Sequence, residues 1–209
     1  DLGRNLLLDM LARLKQEQPR MHIKLSLSDQ EEHLLKGRFD AALRYGKNLA
    51  LDLVELPVLK QHYFIACAAP DYLAEHGQPE SPEQLSEHEC IICHSIGRPE
   101  SRWRFHGAGK VEDVPVQGHF CCDDGDAARR WAVAGHGVVN LPLLNVVEDL
   151  LAGRLLALLP GWQSDAAPLN LVVSHRSQIT SSLRALHQCL VEHCTDRMAR
   201  YQALTQDTR

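Results

Sequence analysis

One pattern constrains the fold of this chain more than any other: a helix, then glycine, then an apolar strand. Residues 124–134 (DGDAARRWAVA) favour a helix, which Gly135 and Gly137 would end. An uninterrupted apolar run, VVNLP, follows at 138–142. A weaker copy of the same order lies at 37–44 (GRFDAALR). Because strand–helix–strand units with short loops favour parallel, right-handed crossovers, the repetition indicates two α/β units rather than one continuous sheet.

Hydrophobic periodicity, together with the residues that begin and end helices and strands, predicts the other elements. The predicted helices are 2–18, a short one from a Ser28–Glu31 capping box to Gly37, one that begins near 70, 81–88 with a Ser81–Gln84 capping box, 143–151 and about 178–201. The predicted strands are 22–28, 39–44, two runs within 53–68, 111–120 and 169–174.

Composition argues for a soluble globular domain with reduced thiols. The net charge of −5 is atypical of a nucleic-acid-binding surface. No apolar run approaches the roughly 18 residues needed to span a membrane. The seven cysteines are an odd number and most lie within apolar runs, which favours a cytoplasmic protein over a secreted one.

The stretch HECIICH, residues 88–94, has the composition of a metal or redox site. Ile91 and Ile92 separate its two cysteines, and β-branched residues favour an extended chain. In a strand, Cys90 and Cys93 point to opposite faces and cannot share an ion. We therefore predict a buried strand here, with zinc binding and redox chemistry as the alternatives, and no metal site or cofactor.

Polar residues follow four of the predicted strands, at the carboxyl ends where ligands gather in parallel α/β sheets. These residues are Ser28, Asp29, Arg44, Tyr45, His94, Ser95, Asp123 and Asp124. We predict that they bind a ligand, in a site assembled by topology and not by a spaced motif.

Structural roles are the alternatives for several of them. Arg44 could bind a ligand carboxylate through two parallel hydrogen bonds, or it could form a structural ion pair with Asp40 or Asp123. Asp123 and Asp124 suit either ligand contact or the cap of the following helix.

A ligand contact and a structural role are likewise both open for Ser28, His94 and Ser95. Ser28 could cap a helix and bind an anion at its N-terminus at once. His94 and Ser95 could line the pocket or make local hydrogen bonds.

Several segments together resemble the effector-binding (regulatory) domain of LysR-type transcriptional regulators. The most specific is the run from Tyr72 to Cys90, YLAEHGQPESPEQLSEHEC, and AGHGVVNLP and the Arg-Tyr-Gly turn at 44–46 support it. The similarity covers nearly the whole chain. It implies an α/β fold of two Rossmann-like subdomains with a cleft between them, as in type II periplasmic binding proteins. Subdomain I would comprise 1–70 and 175–209, and subdomain II 71–174.

The resemblance also implies a function. A small, anionic organic effector would bind in the cleft of a cytoplasmic homodimer or tetramer and alter DNA binding and transcription. DNA would be contacted only through an N-terminal winged helix-turn-helix domain, which is absent from this chain, and membranes not at all. A solute-binding protein of a transport system is the alternative with the same fold.

Two features bear on how closely the family pattern applies. The family's first strand would precede Asp1, and Cys122-Asp123 stands where the family often has Asn-Asp. An enzyme is not indicated, because the chain has no glycine-rich phosphate loop, no Gly-x-Ser-x-Gly elbow and no evident pair of acid–base carboxylates.

Overall fold

The chain forms two compact units. Unit 1 comprises Asp1–His62 and Ala167–Arg197, and unit 2 comprises Tyr63–Ala166 and Met198–Arg209. The structure, a computed structural model, describes residues 1–27, 39–46, 53–94, 101–107 and 109–207.

The described residues contain five longer helices and two short ones. In chain order they are a π-helical turn Gly3–Leu7 that continues into Leu8–Glu17 (together α1), Pro70–His76 (α2), the 3₁₀ helix Pro82–Glu87, Gly125–Val133 (α3), Leu143–Leu151 (α4), the 3₁₀ helix Arg176–Gln178, and Ser181–Asp207 (α5).

The strands in the same residues are mostly short. They are Ala42–Tyr45 (β1), Val54–Leu59 (β2), Phe64–Ala68 (β3), Cys90–Cys93 (β4), Arg102–Gly107 (β5), Lys110–Pro115 (β6), Cys121–Cys122 (β7), Val138–Pro142 (β8), Leu156–Ala157 (β9), Gln163–Ser164 (β10) and Leu169–Val173 (β11).

Unit 1 is built on a three-stranded sheet of order β1–β11–β2, in which both pairings are antiparallel. Helix α1 buries Leu6, Met10 and Leu14, which confirms the helix predicted at 2–18. The strand predicted at 39–44 is present but begins later, at Ala42.

The strand predicted at 22–28 is wrong as far as it is described, because residues 22–27 form neither helix nor strand. Ile23, Leu25 and Leu27 are 38–47% exposed. Alternation of apolar residues gives a strand only where a neighbouring strand accepts its hydrogen bonds. Among the described residues, none pairs with this segment. The helix predicted from Ser28 to Gly37 lies outside the described residues.

Unit 2 contains a mixed five-stranded sheet of order β7–β4–β8–β3–β9. Strands β7, β4 and β8 run parallel, while β3 is antiparallel to β8 and to β9. Every residue of β8 is buried, as its apolar run predicted. Gly137 has a φ of +148°, and a Cβ there would lie 2.4 Å from the carbonyl oxygen of Glu89. Only glycine therefore fits where the chain enters β8.

A second, antiparallel sheet of order β10–β5–β6 covers part of the unit 2 core. Strand β5 alternates exposed and buried residues and buries Trp103 and Phe105. The strand predicted at 111–120 is present but ends early, because β6 ends at Pro115 and pairs with β5, whereas the next strand residues, Cys121 and Cys122, pair with β4. Between Pro115 and Cys121 the chain therefore passes from one sheet of unit 2 to the other.

The helix predicted at 81–88 is a 3₁₀ helix, and its predicted capping box is wrong. The Ser81 side chain makes no cap. The Oε1 atom of Gln84 accepts a hydrogen bond from the backbone N–H of Glu80 at 2.6 Å, one residue before the expected donor. The Gln84 side chain is thereby bonded to Glu80, and the predicted reciprocal pair with Ser81 does not form.

Candidate functional site

The carboxyl ends of β4 and β7 lie next to each other in unit 2. These strands are parallel, with Ile92 opposite Cys121 and Cys93 opposite Cys122. The residues that follow each strand, His94 on one side and Asp123 on the other, therefore reach the same end of the sheet. Helix α3 begins two residues further on. We call His94, Asp123 and Asp124 the strand-end cluster.

Asp124 is the N-cap of α3. Its Oδ1 accepts a hydrogen bond from the backbone N–H of Ala127 at 3.0 Å, and its carbonyl oxygen accepts one from Ala128 at 3.1 Å. The capping role considered for Asp124 is therefore confirmed. Asp123 is exposed and His94 is half-buried. Within the cluster, Asp123 and His94 are the side chains better suited to a ligand.

Arg44 and Tyr45 belong to unit 1, where they end β1. Asn170 fixes this end, because its Nδ2 donates to the carbonyl oxygen of Gly46 at 3.0 Å. The Tyr45 ring stacks on His62, with centroids 5.5 Å apart and planes 11° apart. Burial, with a smaller contribution from Cys194, raises the pKa of the Tyr45 hydroxyl well above its usual value.

Consecutive strand residues point to opposite faces of a sheet, so Arg44 lies on the face away from the Tyr45 ring. Both residues are of intermediate exposure. Tyr45 packs within unit 1, and Arg44 is the better candidate for a ligand contact.

Three of the predicted site residues, Ser28, Asp29 and Ser95, lie outside the described residues. The ligand contacts predicted for all eight residues stay predictions.

The strand prediction for HECIICH is confirmed. Cys90, Ile91 and Ile92 are buried in β4, and burial raises the pKa of the Cys90 thiol to about 12. The polar residues before the strand make local contacts: Glu89 Oε2 lies 3.0 Å from His119 Nδ1, and the Glu89 backbone N–H donates to the Tyr72 hydroxyl at 3.0 Å.

An open pocket of about 430 Å³ lies beside these residues, lined by Ser86–Glu89 and Gln117–His119. It adjoins the amino end of β4, the opposite end from the strand-end cluster. Over the residues that the structure describes, no three histidine, cysteine or acidic side chains are grouped so that they could hold a metal ion.

Sequence reasoning missed two buried asparagines that position the ends of elements. Asn170 holds the turn after β1, as above. In β8, Asn140 donates from Nδ2 to the Ser164 hydroxyl at 3.0 Å, and that hydroxyl donates to the Arg104 carbonyl oxygen at 3.1 Å. The signal was available, because each asparagine interrupts an otherwise apolar strand and a buried amide needs partners.

Residues 1–195 match a protein-family model described as the LysR substrate binding domain. The chain belongs to this family. The match covers most of the chain and confirms both the predicted resemblance and the α/β fold class. Domains of this family are the effector-binding regulatory part of LysR-type transcriptional regulators, so the solute-transport alternative is not favoured.

Curated relatives of this LysR substrate binding domain are regulators. The transcriptional activator TtdR of Escherichia coli K12 is 25% identical over 200 residues, which cover 95% of this chain and 63% of TtdR. The probable regulator LtrA of Klebsiella pneumoniae is 32% identical over 148 residues, covering 69% of this chain and 46% of LtrA. The chain thus spans less than two thirds of the length of these relatives.

Solved structures of LysR-type regulators have the same fold. The regulatory domain of CrgA from Neisseria meningitidis matches with a TM-score of 0.80 and 28% identity, over 91% of this chain and 93% of that one. Full-length AphB from Vibrio cholerae matches with a TM-score of 0.76 and 22% identity, over 92% of this chain and 65% of that one. Among the helices in the described ranges, none combines the length and apolarity needed to cross a membrane.

Proposed function

We propose that this domain is the ligand-sensing part of a cytoplasmic transcriptional regulator, which binds DNA through a separate helix-turn-helix domain. The single observation that carries the proposal is the family match over residues 1–195. The names of TtdR and LtrA as helix-turn-helix regulators support it. The domain would act by binding and not by catalysis, and it would require no cofactor.

We further propose that the effector contacts the strand-end cluster and Arg44. The geometry supports this, because His94 and Asp123 follow two adjacent parallel strands, and ligands of open α/β sheets gather at such carboxyl ends. The N-terminus of α3 adds partial positive charge there. The expectation that the effector lies between two subdomains stays a prediction.

The charges of these residues suggest the chemistry of the effector. A guanidinium such as that of Arg44 pairs well with a carboxylate, through two parallel hydrogen bonds. Asp123 and Asp124 are acceptors when ionised, so a ligand that meets Asp123 should present a hydroxyl or an ammonium group. We therefore propose a small organic acid that also carries a hydrogen-bond donor.

Arg44→Ala should weaken the binding of such an acid by about 1–3 kcal/mol, the usual value of a charge-assisted hydrogen bond. Calorimetric titration with a panel of two- to six-carbon carboxylic acids, with and without hydroxyl or amino substituents, would measure the loss. Asp123→Asn should lower the affinity only for acids that carry a donor group.

Arg102→Ala is the matched control. Arg102 is an exposed arginine of β5 whose Nε donates to Asp113 Oδ1 at 3.0 Å, on a different sheet from the cluster. Its replacement should leave the affinity unchanged. If Arg44→Ala binds the same acids as tightly as the wild type, Arg44 does not contact the effector.

We also propose that the domain forms homodimers or tetramers. Several apolar side chains of unit 1 are exposed, among them Leu8 at 52%, and a dimer interface would remove them from water. Sedimentation velocity at tens of micromolar should show a species of twice the chain mass, and Leu8→Glu should shift it towards monomer. A wild-type chain that sediments only as a monomer would contradict the proposal.

Binding alone does not regulate transcription. The effector must prefer one conformation of the regulator over another, and a tenfold shift in the population requires about 1.4 kcal/mol of differential affinity. In the full-length protein, this preference would be passed to the DNA-binding domains.

A further inference from the structure

Two cysteines face each other across β4 and β7. Cys93 and Cys122 are paired residues of these parallel strands. Side chains at paired positions point to the same face of a sheet, and neighbouring strands lie about 4.7–4.9 Å apart. A disulfide requires Cα atoms roughly 4.4–6.8 Å apart, so the backbone spacing is already suitable.

The two thiols also interact directly. The Cys93 side chain is close enough to the Cys122 thiol to contribute to its raised pKa. The Cys122 thiol donates in addition to the carbonyl oxygen of Asp124, with sulfur and oxygen 3.3 Å apart. Both cysteines are of intermediate exposure, so a small oxidant can reach them.

The neighbouring cysteines lack this arrangement. Cys90 and Cys67 are fully buried, and burial raises the pKa of both thiols, which makes them unreactive. Cys121 is exposed, but it precedes Cys122 on the same strand and so points to the other face.

We propose that Cys93 and Cys122 are a redox-sensitive pair that forms a reversible intramolecular disulfide on exposure to a hydroperoxide. The sulfur of Cys93 attacks one peroxide oxygen, and the O–O bond breaks to give a sulfenic acid and, from hydrogen peroxide, one water. The sulfur of Cys122 then attacks the sulfenic sulfur, the S–S bond forms, and the sulfenic oxygen leaves as a second water. The two thiols lose two electrons and two hydrogens, and the peroxide is reduced to two waters.

The order of attack follows from the environment of Cys122. Burial, together with the neighbouring Cys93, raises the pKa of the Cys122 thiol to about 11. A thiol that rarely ionises is a slow first nucleophile, so Cys122 is assigned the second, resolving step.

The disulfide would fix the ends of β4 and β7 immediately before His94 and Asp123. A consequence that rests on the proposed function is that oxidation changes the affinity of the strand-end cluster for its acid. The bond itself does not depend on that function.

The test uses the full 209-residue chain, reduced and then treated with hydrogen peroxide. Free thiols are alkylated under denaturing conditions and counted by mass spectrometry. The wild type should carry two fewer alkyl groups after oxidation, and dithiothreitol should restore them. Peptide mapping should join the peptide that contains Cys93 to the one that contains Cys122.

Cys121 and Cys122 are adjacent and fall in one peptide, so peptide mapping does not show which of them is bonded to Cys93. Serine variants identify the bonded cysteine. Cys93→Ser and Cys122→Ser should each abolish the two-label decrease, whereas Cys121→Ser should retain it. A decrease that survives in Cys122→Ser, a bond between two chains, or an unchanged count in the wild type would overturn the proposal.

Titration of the carboxylic-acid panel into reduced and oxidised protein separates this inference from the proposed function. Different affinities would support the coupling, and equal affinities with the disulfide in place would overturn the coupling alone. If no acid binds either form, the proposed effector class fails, while the thiol count still decides the disulfide.

Discussion

Replacing Asp149 with alanine is expected to lower the free energy of unfolding by about 3–5 kcal/mol, the usual cost of leaving a buried charge without its partner. Asp149 lies in α4 and its side chain is only 3% exposed. Its Oδ2 accepts from Arg129 Nη1 at 2.7 Å, and its Oδ1 accepts from Arg154 Nε at 2.6 Å. Urea unfolding at neutral pH would measure the loss.

The position of Arg129 explains why the effect should be large. Arg129 lies in α3 with its side chain 16% exposed, so water cannot replace the lost carboxylate fully. The same guanidinium donates to Asp126 Oδ1 at 2.7 Å and keeps that carboxylate in the variant, so the loss should lie near the lower end of the range. Asp149 thus connects α3 to α4 and to the turn after it, and its removal should loosen the helix whose N-terminus belongs to the strand-end cluster.

Arg130→Ala is the matched control for this prediction. Arg130 also pairs with Asp126, at 2.8 Å, but its side chain is 69% exposed. Exposed ion pairs contribute about 0–1 kcal/mol, so this variant should be nearly neutral. A loss below about 1 kcal/mol for Asp149→Ala would show that the buried pair merely offsets its own desolvation.

The helix at 124–134 and the strand at 138–142 could be predicted because their signals are local. Asp124 is a favoured N-cap residue, Gly135 adopts a φ of +81° after the last turn, and VVNLP is apolar throughout. The strand at 22–28 was wrong because pairing is not local. Its alternation matches that of a real strand, and only the rest of the fold decides whether a neighbour is present.

The candidate site could be predicted in part for the same reason. That His94 and Asp123 reach one end of the sheet was predicted from strand ends, although the strand before Asp123 is the two-residue β7 and not the one predicted at 111–120. The facing of Cys93 and Cys122 depends on the register of β4 against β7, and no local signal encodes register. Spacing within HECIICH draws attention to Cys90 and Cys93, whereas the register places Cys93 opposite Cys122.

His62 could not be recognised from sequence, because its environment comes from distant residues. It is 2% exposed, its Nδ1–H donates to the carbonyl oxygen of Ala167 at 2.7 Å, and its ring stacks on Tyr45. Burial lowers the pKa of His62 from 6.5 to about 4, although the bond to Ala167 opposes the shift. The folded protein therefore holds this imidazole neutral.

Acidification should destabilise the protein through His62. Because the folded-state pKa lies below the unfolded one, the unfolded chain takes up the proton first as the pH falls below 6.5. Stability from this residue is thus present at neutral pH, declines as the pH falls from 6.5 to about 4, and declines no further below that. A shift of this size corresponds to about 3 kcal/mol.

His62→Gln should isolate this contribution, because glutamine retains a donor for Ala167 but cannot be protonated. Between pH 7 and pH 4, we expect the wild type to lose about 3 kcal/mol more stability than this variant in urea unfolding. His88 and His193, whose pKa values burial also lowers, are common to both proteins and cancel in the difference. His22→Gln, at an exposed histidine, should retain the wild-type pH dependence. If His62→Gln and the wild type lose equal stability on acidification, the fold accommodates a charged His62 at no cost, and burial does not control its protonation.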